Sequence, residues 1–159
     1  MTRARRILFA LAGAVVCLAA GAALAQDRPA DDMDRLREKL RADKKAVVAS
    51  ALELTEGEAR TFWPVYNMYQ SAMHSHNERV LILIETYAKS YDTMTDATAT
   101  NLLTQYLALE RDHLALLTSY LPRFQKVLPP RKVLRLYQVE HKARAVVNYE
   151  LARSIPLGK

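Results

Sequence analysis

Apolar residues recur every three or four positions along most of the chain after residue 30, a spacing that places them on one face of a helix. Four segments with this spacing predict helices at about 31–52, 56–91, 96–127 and 131–153. The alternation of apolar and polar residues between turn residues, which is typical of strands, is missing from the sequence, and glycine is rare. The pattern therefore predicts an all-α fold.

Polar residues and prolines mark the ends of these helices. Thr55 and Glu58 have the spacing of a capping box. In this motif the Thr55 hydroxyl accepts from the Glu58 amide, and the Glu58 carboxylate accepts from the Thr55 amide. Thr95 or the residue after it is expected to cap the third helix. Pro130 suits the first turn of the fourth helix. Pro64 falls inside the second helix and predicts a kink or a restart there.

The lengths of the helices predict their arrangement. Two long helices joined by a short turn fold back as an antiparallel hairpin, and the two shorter helices cannot cover all of its apolar surface. We therefore expect one elongated four-helix domain at 31–157, with coiled-coil-like packing, that forms a dimer or leaves an apolar groove for a partner. The apolar face of the third helix is predicted to contain Leu103, Tyr106, Leu107, Leu114, Leu117, Leu121, Phe124 and Leu128.

The first 25 residues are typical of a cleaved signal peptide. They comprise a basic start, an apolar run and a small-x-small end, which are Arg3, Arg5 and Arg6, then 7–20, then Ala23-Leu24-Ala25. A transmembrane anchor is the alternative, but the apolar run is shorter than the ~20 residues that span a bilayer. We expect cleavage before Gln26, a disordered leader at 26–30 and a periplasmic location.

Removal of residues 1–25 changes the composition in two ways. The only cysteine, Cys17, is lost, which excludes a disulfide, a thiol nucleophile and a thiolate metal site from the mature chain. The net charge falls from +6 to +3 and is uneven, because 26–121 has 11 basic and 15 acidic residues whereas 122–159 has 9 basic and 2 acidic residues. The basic part predicts contact with an acidic partner, a membrane surface or the acidic half of a second copy, or only a solvated face. The compartment disfavours nucleic acid.

Glu110 and His113 have the Glu-x-x-His spacing of the di-iron carboxylate bundles. Such a centre needs a second Glu-x-x-His, and the sequence contains none. We therefore interpret Glu110 as a partly buried acid that pairs with an arginine, Arg111 or Arg144.

His74 and Glu78 lie four residues apart on the second helix, so their side chains share one face. Together with His113 they are candidate ligands of a zinc, nickel or cobalt ion, since imidazole and carboxylate groups bind these metals. The alternative is an ordinary exposed His74. His76 lies on the apolar face of the same helix and is interpreted as an interface side chain.

Aromatic side chains are concentrated at the start of the second helix. Trp63, Tyr66 and Tyr69 form either the core of the hairpin or the lining of a groove that binds apolar segments of other proteins. In the second interpretation, basic residues of the fourth helix line the same groove: Arg131, Lys132, Arg135 and Arg144.

Leu54, Thr55 and Glu58, between the first two of four helices in an exported chain, resemble the Leu-Thr-x-x-Gln motif of the Spy and CpxP group. Members of that group are small periplasmic helical proteins that form cradle-shaped antiparallel dimers. The resemblance implies an ATP-independent chaperone or a stress-sensing adaptor, and some relatives bind metals. The Phe-Trp-Pro-Val-Tyr tract at 62–66 also resembles that of uncharacterised bacterial secreted proteins.

The sequence contains no pattern that indicates catalysis, such as a glycine-rich phosphate loop or a Gly-x-Ser-x-Gly elbow. We therefore expect a protein without enzymatic activity or a cofactor. It is predicted to bind envelope or unfolded proteins through a groove, as a chaperone-like protein or a stress-sensing adaptor, and to form a homodimer. The alternative is a periplasmic metal-binding sensor that uses His74, Glu78 and His113.

Overall fold

The computed structural model describes residues 43–158. The predicted signal peptide (1–25), the leader (26–30) and the beginning of the first predicted helix (31–42) lie outside the described residues. Within 43–158 the chain forms four α-helices and a 3₁₀ turn, without a strand. The helices are α1 (43–52), α2 (Glu56–Ser90), α3 (Asp96–Gln125) and α4 (Pro130–Ser154), and the turn is Tyr91–Thr93. The predicted all-α fold is confirmed.

The helix ends follow the local signals of the sequence. At the start of α2 the Glu58 amide donates to the Thr55 hydroxyl at 3.3 Å, and the Thr55 amide donates to the Glu58 carboxylate at 2.9 Å, which completes the predicted capping box. The Thr95 hydroxyl caps α3 by accepting from an amide of its first turn. Pro130 occupies the first turn of α4. Pro64 lies inside an uninterrupted α2, so the helix does not restart there.

α2 and α3 form a long antiparallel hairpin, and α4 returns along it. An ion pair of 2.7 Å between Lys132 and Glu58 joins the start of α4 to the start of α2. Near the other end of α2, the Tyr87 hydroxyl donates to the Pro156 carbonyl at 2.7 Å. α4 therefore runs parallel to α2 and antiparallel to α3. The described part of α1 lies against the first half of α2 and the first half of α4.

We divide the molecule into two ends at the level of residues 76 and 113. The proximal end contains the described part of α1, the first half of α2, the second half of α3 and the first half of α4. Its core contains Val48, Leu52, Phe62, Tyr66, Tyr69, Tyr120, Phe124, Leu128, Val133 and Leu136. The distal end contains the remainder of α2, α3 and α4 with the turn, and its buried apolar residues are Ala88, Tyr91, Leu102 and Leu109.

The proximal core is built mainly from aromatic rings. Phe124 of α3 is 1% exposed, and its ring centre lies within 6.3 Å of four others: Phe62, Tyr69, Tyr120 and Tyr137. Tilted and edge-to-face pairs of this kind add to the free energy gained from burial of the rings. Phe124 therefore joins α3 to both α2 and α4.

Two tyrosines hold the last residues of the chain at the distal end. The Tyr87 hydroxyl donates to the Pro156 carbonyl at 2.7 Å, and the Tyr91 hydroxyl donates to the Leu157 carbonyl at 3.1 Å. We call these two bonds the tyrosine latch. The latch fixes where α4 ends relative to the turn between α2 and α3.

α3 has two neighbouring apolar faces, and the structure buries mainly the one that the sequence analysis did not select. The buried residues are Leu102, Leu109, His113, Tyr120 and Phe124, whereas Leu103, Tyr106, Leu107, Leu114 and Leu121 are exposed. The predicted face is thus wrong for most of its residues, because the rings of Tyr120 and Phe124 pack against those of α2 and determine how α3 is rotated. Despite these exposed leucines, no helix in the described part of the chain is long and apolar enough to cross a membrane.

Candidate functional site

The tyrosines that were candidates for a groove lie in the proximal core. Tyr66 is fully buried and Tyr69 is 2% exposed, so neither side chain is accessible to a partner in this structure. The crevice lined by Tyr69, Phe124 and Glu140 has no room for a water molecule. Trp63 is half-buried and packs edge-on against Phe62 with ring centres 4.9 Å apart. In this structure the two tyrosines lie in the core of the hairpin, which is the first of the two interpretations, because the aromatic face of α2 is covered by α3 and α4.

Glu140 of α4 connects the polar ends of these tyrosines to α1. Its carboxylate accepts from the Tyr66 hydroxyl at 2.9 Å and from the Lys44 ammonium at 2.8 Å. The Gln70 amide donates at 3.3 Å and the Tyr69 hydroxyl at 3.5 Å. The Glu140 side chain is only 10% exposed, so these bonds replace the water that a carboxylate otherwise requires. The network is structural support for the proximal core.

The hydroxyls in this network remain protonated donors. Burial raises the pKa of Tyr66 and of Tyr69, and the neighbouring Glu140 carboxylate raises it further. A proton-transfer role at neutral pH is therefore disfavoured for both tyrosines.

Three of the four basic residues proposed to line a groove are engaged within the chain. Lys132 pairs with Glu58 at 2.7 Å and donates to the Glu53 carbonyl at 2.8 Å. Hydrogen bonds from Lys132 and from the Thr55 amide lower the pKa of Glu58. These contacts tie the start of α4 to the loop between α1 and α2.

Arg135 and Arg144 also make contacts between helices. Arg135 donates to the Ala51 carbonyl at 3.1 Å. Arg144 pairs with Glu110 at 2.9 Å, and it is one of the two arginine partners that the sequence predicts for this acid. Arg131 is exposed and makes no ion pair within residues 43–158. Arg131 is therefore the one basic residue of the predicted set that is available to a partner without breaking an internal contact.

The candidate metal ligands are not gathered into one cluster. His74 pairs with Glu78 at 3.2 Å along α2, and both side chains are exposed. His113 lies instead against His76, with ring centres 5.4 Å apart. Among residues 43–158 no group of three or more His, Cys, Asp or Glu side chains is arranged to hold a metal ion. A metal site that combines His74, Glu78 and His113 remains a prediction.

The His76–His113 pair lies at the boundary between the two ends. Each side chain is 6% exposed, and the Nδ1 atom of each ring is buried without a hydrogen-bond partner in the described structure. Burial lowers the pKa of both imidazoles, and Arg144 lowers both further. Both rings are therefore neutral at neutral pH.

α3 and α4 present an exposed apolar surface beyond this pair. Two contacts define the register of α3 and α4. The Tyr137 hydroxyl donates to the Leu117 carbonyl, and Arg144, seven residues later on α4, pairs with Glu110, seven residues earlier on α3. The same register places Val147 level with Leu107. We define the distal apolar surface as Leu103, Tyr106 and Leu107 of α3 with Val147 of α4.

Sequence reasoning does not identify Glu140 as the centre of a network, although a signal is present. Glu140 follows Val133 and Leu136 at helical spacing and is thus an acidic residue on an apolar face. The histidine pair is also missed. His76 is placed correctly on the apolar face of α2, but the predicted face of the third helix excludes its partner His113.

Comparison of the chain with protein-family models, with curated proteins and with solved structures gives no match.

Proposed function

We propose that this chain is a non-enzymatic binding protein of the cell envelope that holds apolar segments of envelope or unfolded proteins on the distal apolar surface. It would act as a chaperone-like protein or as an adaptor in a stress response. The supporting observation is that four large apolar residues, on two neighbouring helices at one end of the molecule, are each half or more exposed. Single exposed apolar residues are common, but a contiguous group is typical of an interaction surface.

The distribution of exposed apolar residues favours the distal end over the proximal end. The proximal end also exposes Val47, Met68, Leu121 and Leu134, but these lie on four different helices, and Leu114 lies at the boundary itself. At the distal end, Tyr106 and Leu107 follow Leu103 by three and four residues on α3, and Val147 of α4 lies level with Leu107. Residues one turn apart on the same helix are neighbours on its surface.

The proposal differs from the sequence prediction in the residues that contact the partner. Tyr66, Tyr69 and most of the basic residues stabilise the fold, so contact with a partner is assigned to the leucine, valine and tyrosine side chains of the distal apolar surface. The resemblance to the Spy and CpxP group supports the chaperone-like version, since those proteins bind clients without ATP. Its motif residues lie at the proximal end, where Thr55 and Glu58 form the cap of α2.

A light-scattering assay with an aggregating client tests the proposal. The distal variant carries Leu103→Gln, Leu107→Gln and Val147→Gln, which introduce a good helix former at each position and remove apolar surface. We expect wild type to suppress aggregation at an equimolar ratio. The distal variant should need about tenfold more protein for the same effect, because loss of this contact area costs on the order of 1–2 kcal/mol of binding free energy.

A matched control variant carries Val47→Gln, Met68→Gln and Leu134→Gln, which remove three side chains of similar exposure (57–62%) from the proximal end. This variant should suppress aggregation as wild type does. Equal loss in both variants would show that general surface hydrophobicity, and not the distal end, binds the client. If wild type suppresses aggregation at no ratio, the chaperone-like version is contradicted.

A homodimer is part of the proposal and uses the same surface. Sedimentation equilibrium of wild type and of the distal variant shows whether a second copy of the chain occupies this surface when no client protein is present. A wild-type dimer that becomes a monomer in the distal variant would identify the distal apolar surface as the dimer interface. Client binding per chain should then decrease as the protein concentration rises, since the second copy and the client compete.

A further inference from the structure

We propose that α4 binds the anionic headgroups of a lipid membrane through the face that points away from the protein core. Five exposed residues form this face, which we call the basic face of α4: Arg131, Arg135, Lys142, Tyr149 and Arg153. It shares no residue with the distal apolar surface. The proposal does not depend on client binding, so either can fail without the other.

The spacing of these residues places them on one side of the helix. Consecutive members are four or seven residues apart, which corresponds to one or two helical turns. The residues that α4 buries are Val133 and Leu136. At about 100° per residue, the five positions lie about 160–200° around the helix from Val133. The basic face is therefore opposite the core.

The basic face keeps its positive charge because the acids of α4 lie elsewhere on the helix. Glu140 and Glu150 are the only acids of α4. The Glu140 carboxylate is directed inward and is 10% exposed, and Glu150 pairs with Arg153 at 3.5 Å. Arg131 and Lys142 make no ion pair within residues 43–158. A positive surface of this kind favours a negatively charged partner.

Apolar side chains on and beside the basic face favour a lipid membrane over an acidic protein. Tyr149 lies on the face and is 63% exposed. Leu134 and Val146 lie at its two edges and are 62% and 65% exposed. A helix that lies in the headgroup region combines cations with apolar and aromatic side chains that enter the lipid, and tyrosine is typical of that interface.

The length of the basic face also fits a membrane surface. Between Arg131 and Arg153 the helix is uninterrupted and spans ~33 Å at ~1.5 Å per residue. A bilayer presents negative headgroups over the whole of this length, so the four cations of the face contact lipid at the same time. Each lysine or arginine near an anionic bilayer strengthens binding about fivefold.

The acidic half of a second copy is the competing occupant, and the described acids fit it poorly. Of the twelve acidic residues in 43–158, nine already pair with a base of the same chain. The other three are Asp43, at the start of the described part of α1, and Asp92 and Asp96, beside the turn between α2 and α3. The described residues therefore contain no acidic stripe that matches the basic face in length.

Sedimentation of the full chain with lipid vesicles tests the proposal. We expect stronger binding to vesicles of equal parts phosphatidylglycerol and phosphatidylcholine than to vesicles of phosphatidylcholine alone. Sodium chloride at ~0.5 M should remove this difference, since the screening length then falls to about half of its physiological value. Equal binding to the two kinds of vesicle at low salt would overturn the proposal.

A pair of matched variants assigns the contact to α4. The face variant carries Arg131→Gln and Lys142→Gln, and the control variant carries Lys89→Gln and Arg111→Gln, at exposed positions of α2 and α3. Both variants lose two positive charges, and glutamine is a good helix former. We expect the face variant to bind anionic vesicles about 25-fold more weakly, and the control variant to bind within about threefold of wild type. Similar losses would show that net charge alone binds the membrane.

A fluorescent probe reports the contact independently of residues 1–25, whose own basic and apolar side chains can bind vesicles. All labelled proteins carry Cys17→Ser, and the fluorophore NBD is attached at Gln138→Cys, three residues after Arg135, or at Ser75→Cys on α2, both exposed. Anionic vesicles should shift the NBD emission to the blue at position 138 and leave it unchanged at position 75. No change at 138, or equal changes at both positions, would contradict the contact.

Two further measurements identify a different occupant of the basic face. Soluble polyglutamate should bind far more weakly than anionic vesicles, because it offers nothing to the apolar side chains of the face. If polyglutamate binds as tightly as the vesicles and the face variant loses both, the partner is an acidic protein segment. A dimer of wild type that becomes a monomer in the face variant, by sedimentation equilibrium, would assign the face to a second copy. Either result would overturn the proposal.

Discussion

The proximal and distal ends are built from the same two long helices, yet their side chains are used differently. At the proximal end α1 and α4 cover α2 and α3, and the aromatic rings and Glu140 are enclosed. At the distal end α4 is the only helix within residues 43–158 that accompanies the hairpin, and Leu103, Tyr106 and Leu107 remain half or more exposed. Local stability follows the number of buried apolar contacts. We therefore infer that the proximal end provides the stability and that the distal end is free to provide contacts with other molecules.

The largest expected effect on the free energy of unfolding comes from a substitution that disrupts the proximal core. Phe124→Ala removes a ring that contacts four others and should lower the free energy of unfolding by ~3–5 kcal/mol. Leu107→Ala at the distal end should change it by less than ~0.5 kcal/mol, because that side chain is 50% exposed. Urea denaturation followed by circular dichroism measures both. Similar losses would mean that the two ends do not differ in stability.

Loss of the Glu140 network should have the second-largest effect on the free energy of unfolding. Glu140→Ala leaves the Tyr66 hydroxyl and the Lys44 ammonium without their acceptor and should cost ~2–3 kcal/mol. Glu140→Gln keeps an acceptor for Tyr66 but removes the charge that pairs with Lys44, so its cost should be about half as large. The same urea denaturation applies. A stabilised Glu140→Ala variant would show that the network is dispensable.

The histidine pair at the boundary predicts a pH dependence. The folded-state pKa of His76 and of His113 is lowered, so below pH ~6.5 the unfolded chain takes up protons that the folded chain does not. Stability should be full above that pH and fall as the pH decreases, by at most ~1.4 kcal/mol per pH unit for each histidine. The curve should be flatter for the double variant His76→Gln, His113→Gln. If wild type and double variant have parallel curves between pH 7.5 and 5, the pair is not the cause.

The smallest expected effect concerns the loop between α1 and α2. Glu53 has a φ of 47°, a conformation that costs free energy for any residue with a Cβ atom. Glu53→Gly should therefore stabilise the protein by ~0.5–1 kcal/mol. Glu53→Ala is the control, since it removes the exposed 3.9 Å ion pair with Arg135 but keeps the Cβ atom. Equal stability of the two variants would contradict the backbone explanation.

The parts of the fold that the sequence predicts correctly depend on neighbouring residues. The capping box of Thr55 and Glu58, the cap at Thr95 and the position of Pro130 are each determined within one helical turn, and the helix boundaries follow from them. The all-α class follows from the spacing of apolar residues along the chain. These signals act over a few residues, and no tertiary contact overrides them.

The parts that the sequence does not predict depend on contacts between helices. α3 has two apolar faces of similar composition, and only the fit of Tyr120 and Phe124 against the rings of α2 determines which one is buried. For the same reason, the choice between core and groove for Tyr66 and Tyr69 could not be made from spacing alone. The Glu140 network requires side chains from three helices, whose meeting point spacing along one helix does not reveal.

The tyrosine latch has a consequence for how the end of the chain tolerates change. Both of its acceptors are main-chain carbonyls, of Pro156 and Leu157, so the latch is insensitive to which side chain stands at position 157. The length of α4 matters instead. Deletion of one residue within that helix would rotate the remaining C-terminal residues by ~100° and shift them by ~1.5 Å, which would move both carbonyls away from the hydroxyls. The segment should accept substitutions freely and insertions or deletions hardly at all.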